Sequence, residues 1–536
     1  MLAPLLVWGV VAASACSLSQ QGVSPPADTF FYPASAIVDQ SKSWLFVTNS
    51  NADLRFNDGT LVMVDLVDAL ADRTNKGGPF LPAGGPVLSA GGAIQTWDLC
   101  PQEDYVNPLS RSDPQICCWD RLDSSILNCD ERRYVQPDAT VRIGSFAAGM
   151  LLQPDCGACD MGCTPDPTFG RLLIGVRGDT SLTWVDVASQ SGDLHPTFSC
   201  NSTPGVSLSE CDSVHRIIDT HSALVTESMD TQAPDVQVPD EPYALALDSS
   251  LGLLYIGHLV GSTAIVDTGG VSLFDVSSTR SGLNMQNFLA PFPSPFPPNN
   301  AGAFGITALE LHVPLGQMAV PGARQELFAS SRYVPAITAM APFGNISPPA
   351  SCDLSARDVV VEPAGDSFNS GLVGSEMRGI EFIEPPAPDP TAAPDPSAPQ
   401  YAQRAYALQR VPPDLVGFNI ARNNAGGIVT TPTDVSETCS SPTFLYQHDA
   451  GDGPRLYVNC FDTGEIYVFD PTVPTLVTTF QVGRGPAGLV FPDDHSPIAY
   501  VIGFSDNNLS VLDLAPGSAT QYHVIERIGF PSVTPR

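Results

Sequence analysis

Lysine is almost missing from this chain: Lys42 and Lys76 are the only two in 536 residues. Basic residues number 24 against 57 acidic ones, leaving a formal charge of −33. A surface of that sign repels phosphate backbones and argues against nucleic acid as a partner. Long apolar runs are missing too. Leu2 to Ala13 extends for about a dozen residues, too short to span a bilayer as a helix, and no later segment is longer and equally apolar. The usual catalytic punctuation is absent: no HExxH pair, GxSxG elbow, Walker loop or dinucleotide fingerprint occurs. The eight histidines are scattered, none at ligand spacing from another. No stretch shows a sustained helical period.

What is present is a repeated grammar. Seven times a small or Gly-rich segment runs into an apolar stretch, then a Leu-Tyr-Val-like triplet, then an alternating strand that usually ends in Asp. The last copy reads Gly488-Leu489-Val490, Ala499-Tyr500-Val501, Leu509-Ser510-Val511-Leu512-Asp513. The first reads Ala36-Ile37-Val38, Leu45-Phe46-Val47-Thr48-Asn49, Leu61-Val62-Met63-Val64-Asp65. The 45 glycines and 51 prolines suit many short strands joined by turns. Such a unit cannot bury both faces alone, whereas a ring of seven does. The expected fold is therefore all-β, a seven-bladed β-propeller with long disulfide-braced loop insertions. The chain end, Val524 to Pro531, reads as an outer strand. Phe31 to Ala36 reads as its continuation, so that one terminus completes the blade begun by the other.

Leu45-Phe46-Val47-Thr48-Asn49 followed by Leu61 to Asp65, with the final copy, resembles the YVTN-type or YncE-like seven-bladed propellers of exported bacterial proteins. The resemblance covers nearly everything after residue 29 and speaks for fold far more than for function. It implies a bacterial cell-envelope setting.

The expected organisation is a signal peptide over 1–15, a lipidated cysteine and flexible tether over 16–29, and the propeller over 30–536, with insertions at about 67–138, 153–170, 188–238 and 384–403. Ala13-Ser14-Ala15-Cys16 resembles the bacterial lipobox, which makes Cys16 the lipidation candidate. Ser17 follows it, where Asp would suggest inner-membrane retention, so the outer membrane is the expected location. Setting Cys16 aside leaves an even twelve of the 13 cysteines as disulfide candidates: Cys100, Cys117, Cys118, Cys129, Cys156, Cys159, Cys163, Cys200, Cys211, Cys352, Cys439 and Cys460. Cys200–Cys211 would staple a local loop, and Cys439–Cys460 would tie one blade's incoming segment to its second strand.

Specific sites are sparse. Cys156-Gly157-Ala158-Cys159 carries Asp160 where a c-type haem site needs His. Zinc there would need a fourth ligand from Cys117, Cys118 or Cys129, and disulfides are the plainer reading. Asp53, Asp58, Asp449 and Asp452 offer oxygen ligands for Ca²⁺, but without EF-hand spacing, and Asx residues beside Gly more often form turns. No other cofactor is implied. Loops after second and fourth strands share one rim, which makes Asp53, Arg55, Asp58 and His258 the binding-rim candidates. His448 and His495 read as surface loop residues. The recurring Asp65, Asp186, Asp275, Asp470 and Asp513 read as caps for the turn into the fourth strand.

The functional expectation is an exported, lipid-anchored propeller acting as a non-catalytic binding or scaffold protein. Its partner would be an envelope or extracellular protein or a glycan, with membrane contact through the lipid alone. The alternative is a lactonase-like or other metal-assisted hydrolase using the propeller channel. Convergent acids and His in the channel would favour the enzyme; an apolar mouth with aromatic loops would favour the binding module.

Overall fold

The computed structural model describes residues 22–75, 99–100, 117–155, 169–189, 195–201, 206–217, 241–259, 262–263, 266–267, 271–276, 283–289, 305–313, 325–344, 359–363, 368–369, 374–383, 403–422, 428–472 and 474–531. Among the described residues, seven mainly antiparallel sheets of four to six strands follow one another along the chain, besides one two-stranded sheet. Their innermost strands are Pro33–Val38, Ala147–Pro154, Pro242–Asp248, Ile306–His312, Ser375–Ile383, Pro442–His448 and Pro486–Val490. Each touches the innermost strand of the next sheet, and the seventh touches the first. That closed cycle makes the molecule a seven-bladed propeller.

The Leu-Tyr-Val triplet is explained by position. Second strands such as Leu253–His258 and Glu326–Ser331 are buried on both faces. The middle residue of the triplet (Phe46, Leu173, Tyr255, Phe328, Tyr406, Tyr457 or Tyr500) is fully buried. Seven apolar clusters result, each shared by two neighbouring blades. Tyr406 also sends its hydroxyl to Pro471 O of the next blade at 2.7 Å. Outer strands lie at the water's edge, as the alternation in Ile428–Glu437 and the exposure of Thr475–Gln481 show.

Ring closure differs from the expectation. His523–Ile528 is the outer strand of blade 7, but Pro33–Val38 is the inner strand of blade 1 and does not extend it. Each blade draws its core strands from one stretch of chain. The closing interface is clasped by the excursion that follows the third strand of blade 1. Leu127–Cys129 runs parallel to His523–Ile528 as a fifth strand of blade 7, and Cys117–Trp119 adds a sixth. The chain then returns to give Val141–Arg142 as the fourth strand of blade 1. Leu127, Cys129 and Tyr134 sit in the same apolar cluster as Val47, Val62, Tyr500 and Val511.

Among the described residues there are four disulfides: Cys100–Cys118, Cys117–Cys129, Cys200–Cys211 and Cys439–Cys460. Cys156, Cys159, Cys163 and Cys352 lie outside the described residues, as do Cys16 and the segment 1–21. One helix, Leu66–Asn75, opens the excursion. It escaped the periodicity reading because it is a short amphipathic element started by Asp65, whose carboxylate accepts the Asp68 N–H at 2.9 Å. The other third-strand aspartates divide. Asp470 and Asp513 cap turns by accepting from Thr472 N and Ala515 N, both at 2.8 Å. Asp186 instead holds Arg171 at 2.7 Å.

Candidate functional site

The seven inner strands enclose an axial channel of about 550 Å³. Small residues such as Ala34, Ala148, Ala244 and Gly488 line it, because the strands crowd together near the axis. At Gly149 a Cβ would stand 2.9 Å from Tyr243 O of the next blade, so that wall has no room for a side chain.

All seven inner strands carry a β-bulge near their start. A left-handed residue sits at the strand's entry: Tyr32 (φ 53°), Phe146 (58°), Glu241 (52°), Ser441 (56°) and Gly485 (64°) just before it, and Glu376 (58°) at its second position. For non-glycine residues this costs on the order of 1 kcal/mol each. Its carbonyl accepts the N–H of the residue just after the second strand, as in Ser50 to Tyr32 (2.9 Å), Arg177 to Phe146 (3.1 Å), Leu259 to Glu241 (3.0 Å) and Phe504 to Gly485 (2.9 Å). In blade 5 the second strand runs on past this place, and Arg410 stands opposite Glu376. The pattern aims two side chains per blade at one mouth of the channel.

Those side chains separate into two arcs. Across blades 6, 7 and 1 they are aromatic and half-buried: Phe461 and Phe504 have ring centroids 5.9 Å apart, and Phe504 and Tyr32 5.2 Å. Across blades 2 to 5 charged side chains dominate, beside Phe146 and Leu259. Arg177 meets Glu241 at 3.1 Å, and Glu376 is shared by Arg378 (3.2 Å), Arg410 (3.4 Å) and Arg332 (3.7 Å).

Roughly 15 Å deeper, five residues on, three polar side chains occupy equivalent places in consecutive blades. Glu310, Glu381 and Tyr446 each pair with the middle residue of the second-strand triplet. The same place holds Ile37, Leu151, Ala246 and Val490 in the other blades. Two of them lean on the following blade: Glu381 accepts the Gln447 N–H, and Tyr446 accepts the Leu489 N–H. All three line the channel. Burial pushes Glu310 up to about 7. Burial raises Glu381 well above the usual carboxylate range, and the neighbouring Glu310 raises it further. At neutral pH the pair therefore holds at least one proton, the behaviour of two carboxyls that cannot both ionise.

The rim candidates lie elsewhere. Asp53 and Arg55 pair with each other at 2.8 Å in the second-to-third loop of blade 1, and Asp58 pairs with Arg142 at 3.2 Å. None of them lines the channel. His258 ends the second strand of blade 3 and is fully buried. Asp449 accepts the N–H groups of Gly451 and Gly453 at 2.8 and 3.0 Å, while Asp452 holds Arg455 at 3.2 Å. Cys117, Cys118 and Cys129 are spent in disulfides. His495 is exposed as expected, but His448 is buried, bonded to Ser496 O at 2.8 Å and stacked on Phe491, and burial lowers its pKa. Sequence reading missed the mouth arginines, Glu376 and the Glu310–Glu381 pair. Aligning the seven inner strands would have exposed the last, as acids where other copies carry aliphatic residues.

No protein-family model matches the chain, and no curated protein matches it. Solved structures similar to it include that described as a candidate 6-phosphogluconolactonase of Bacteroides fragilis, 11% identical over 68% of this chain and 83% of that one, with a TM-score of 0.42. The β-propeller domain of Swd1 from Myceliophteria thermophila is 8% identical, covering 90% and 97%, at 0.41. Kuenenia stuttgartiensis hydrazine synthase is 12% identical, covering 94% and 99%, at 0.40. Likenesses this distant carry no argument about activity, and the fold assignment rests on the closed cycle of sheets.

Proposed function

We propose that the protein is a non-catalytic binding or scaffold module of the bacterial cell envelope. It is a YVTN-type propeller, exported, held to the outer membrane by lipid on Cys16, and it offers one channel mouth to an envelope or extracellular protein or a glycan. The observation that carries this reading is the aromatic arc Tyr32–Phe504–Phe461 set opposite an arginine-rich arc. Half-buried aromatics beside arginines are the surface chemistry that anchors partners. Four disulfides support an oxidising compartment. The test is affinity capture with disulfides intact, alongside a glycan array, comparing wild type with Phe461→Ala/Phe504→Ala. Retention of a partner or glycan that the double variant loses supports the reading; identical retention by both refutes it. Cys16→Ala should release the protein from membranes, and unchanged fractionation would remove the anchor.

A second reading, a lactonase-like or other hydrolase working in the channel, is favoured by one observation, the proton-holding Glu310–Glu381 pair. Lactone opening that Glu381→Gln abolishes would replace the first reading with this one.

A further inference from the structure

The mouth combines two features that a purely structural ion-pair network does not need. The first is an imbalance of charge. Three guanidiniums, from Arg332, Arg378 and Arg410, converge on the single carboxylate of Glu376. Arg177 nearby is matched by Glu241 alone. The next acid outward, Asp462, is engaged by the Ser441 hydroxyl, which also accepts from Arg410 at 3.4 Å. The carboxyls below return at most one charge, since at neutral pH the pair keeps at least one proton. In a chain of formal charge −33, four guanidiniums gathered at one channel mouth are an uncommon concentration of cationic side chains.

The second feature is a set of buried donors without partners. Arg378 is 7% exposed, Ser330 1% and Ser50 3%, and all three line the cavity. Arg378 Nε, Ser330 Oγ and Ser50 Oγ have no hydrogen-bond partner among the described residues, and neither does Arg177 Nε. A buried donor left unpaired costs about 1–3 kcal/mol, which an acceptor arriving in the cavity would recover. Every one of these groups can donate, and the guanidiniums can only donate. The complement is an oxygen-rich anion, and guanidinium forks suit carboxylate and phosphate groups in particular.

We infer that the channel mouth is a binding site for a small organic anion carrying a carboxylate or phosphate group, seated between Arg378, Arg332 and Ser330. The inference deepens the binding-module reading and rests on it only in taking the mouth to receive a ligand.

The test is isothermal titration of the purified, disulfide-intact protein with inorganic phosphate and, separately, with succinate, at low ionic strength. One saturable site per chain is expected for at least one of the two anions, weakening as salt is added. Arg378→Gln should weaken binding about tenfold or more. Because Arg378 is buried, that variant risks misfolding. Arg332→Gln/Arg410→Gln, which removes two half-exposed side chains, should give a comparable loss with the circular dichroism spectrum unchanged. Lys42→Gln, in the first-to-second-strand loop at the other end of blade 1, should bind as wild type does. The inference is overturned by no saturable binding of either anion, by undiminished binding in the double variant, or by an equal loss in Lys42→Gln, which would mark diffuse surface attraction. No macromolecular partner enters this titration, so its failure and the failure of the capture experiment are read separately.

Discussion

The two levels of the channel treat charge in opposite ways. At the mouth, guanidiniums and carboxylates sit in ion pairs within reach of water, as in the Arg177–Glu241 pair at 3.1 Å. Five residues further along the same strands, burial disfavours the charged forms of Glu310 and Glu381, and the pair keeps at least one proton at neutral pH. The backbone differs in parallel. The mouth is shaped by left-handed residues and bulges that break the ladder, whereas the deeper level sits in regular strand pairing. Side chains can be re-aimed at the mouth independently in each blade. At the deeper level a residue inherits the direction of its pleat, so a polar substitution must lean on the neighbouring blade.

The largest effect that would break this comparison comes from the mouth's covalent brace. Cys460 immediately precedes Phe461, and Cys439 lies just before Ser441, so the Cys439–Cys460 disulfide fixes both mouth positions of blade 6. It closes a separation of 21 residues. A loop of that size is worth about 3 kcal/mol through the unfolded chain. Cys439→Ser/Cys460→Ser should lower the unfolding free energy in guanidinium by about that amount and weaken any ligand of the aromatic arc. The deeper carboxyls should titrate as before. If their pH response moved as well, the two levels would not be independent.

The contrast between the levels also explains what was legible from the chain. Every repeat was found, because the triplet lies where two blades bury a strand on both faces, and such strands tolerate little but Leu, Tyr, Phe, Val and their kin. Cys200–Cys211 and Cys439–Cys460 could be guessed for a related reason, since each staples residues that the repeat already brings close. The mouth was not legible. Its side chains come from positions just outside the strands, and nothing in the composition around Glu376 or Tyr32 announces a left-handed backbone. The excursion's return to blade 1 was hidden as well, because the strands it adds, such as Leu127–Cys129 and Val141–Arg142, are too short to show alternation. His448 read as a loop residue because its burial depends on Phe491 and Ser496 from the next blade.

A smaller effect sharpens the comparison through pH. Glu310 has a raised pKa in the folded protein, about 7, against an ordinary value of 4.5. The folded state thus binds more protons than the unfolded chain between those values. The stabilisation from the protonated form is fully present below about pH 4.5 and is lost as pH rises through about 7. The loss is on the order of 2 kcal/mol after allowing for water in the channel. Unfolding curves of wild type and Glu310→Gln at pH 5 and pH 8 measure it together with the relief of Glu381, whose pKa Glu310 raises, while groups remote from the pair cancel in the difference. The variant should be the more stable of the two at pH 8, and the gap should close at pH 5. A gap independent of pH would mean that Glu310 is ionised throughout and that the two levels do not differ in charge.

The smallest effect compares the channel lining with the wall behind it. Tyr446 and Tyr406 each bond to the backbone of the next blade: Tyr446 accepts from Leu489 N–H, and Tyr406 donates to Pro471 O at 2.7 Å. Burial raises both phenols, Tyr406 to about 12, so both remain protonated at neutral pH. Tyr406 is 1% exposed in the apolar cluster between blades 5 and 6, and Tyr406→Phe would strand the Pro471 carbonyl next to that cluster. The expected cost is about 1.5 kcal/mol. Tyr446 lines the channel, where water can take over the Leu489 N–H, so Tyr446→Phe should cost only about 0.5 kcal/mol. Urea unfolding of the two variants measures the difference directly. Equal losses would show that water does not penetrate to the carboxyl level, in which case Glu310 and Glu381 would be sealed in the protein rather than facing a solvent-filled channel.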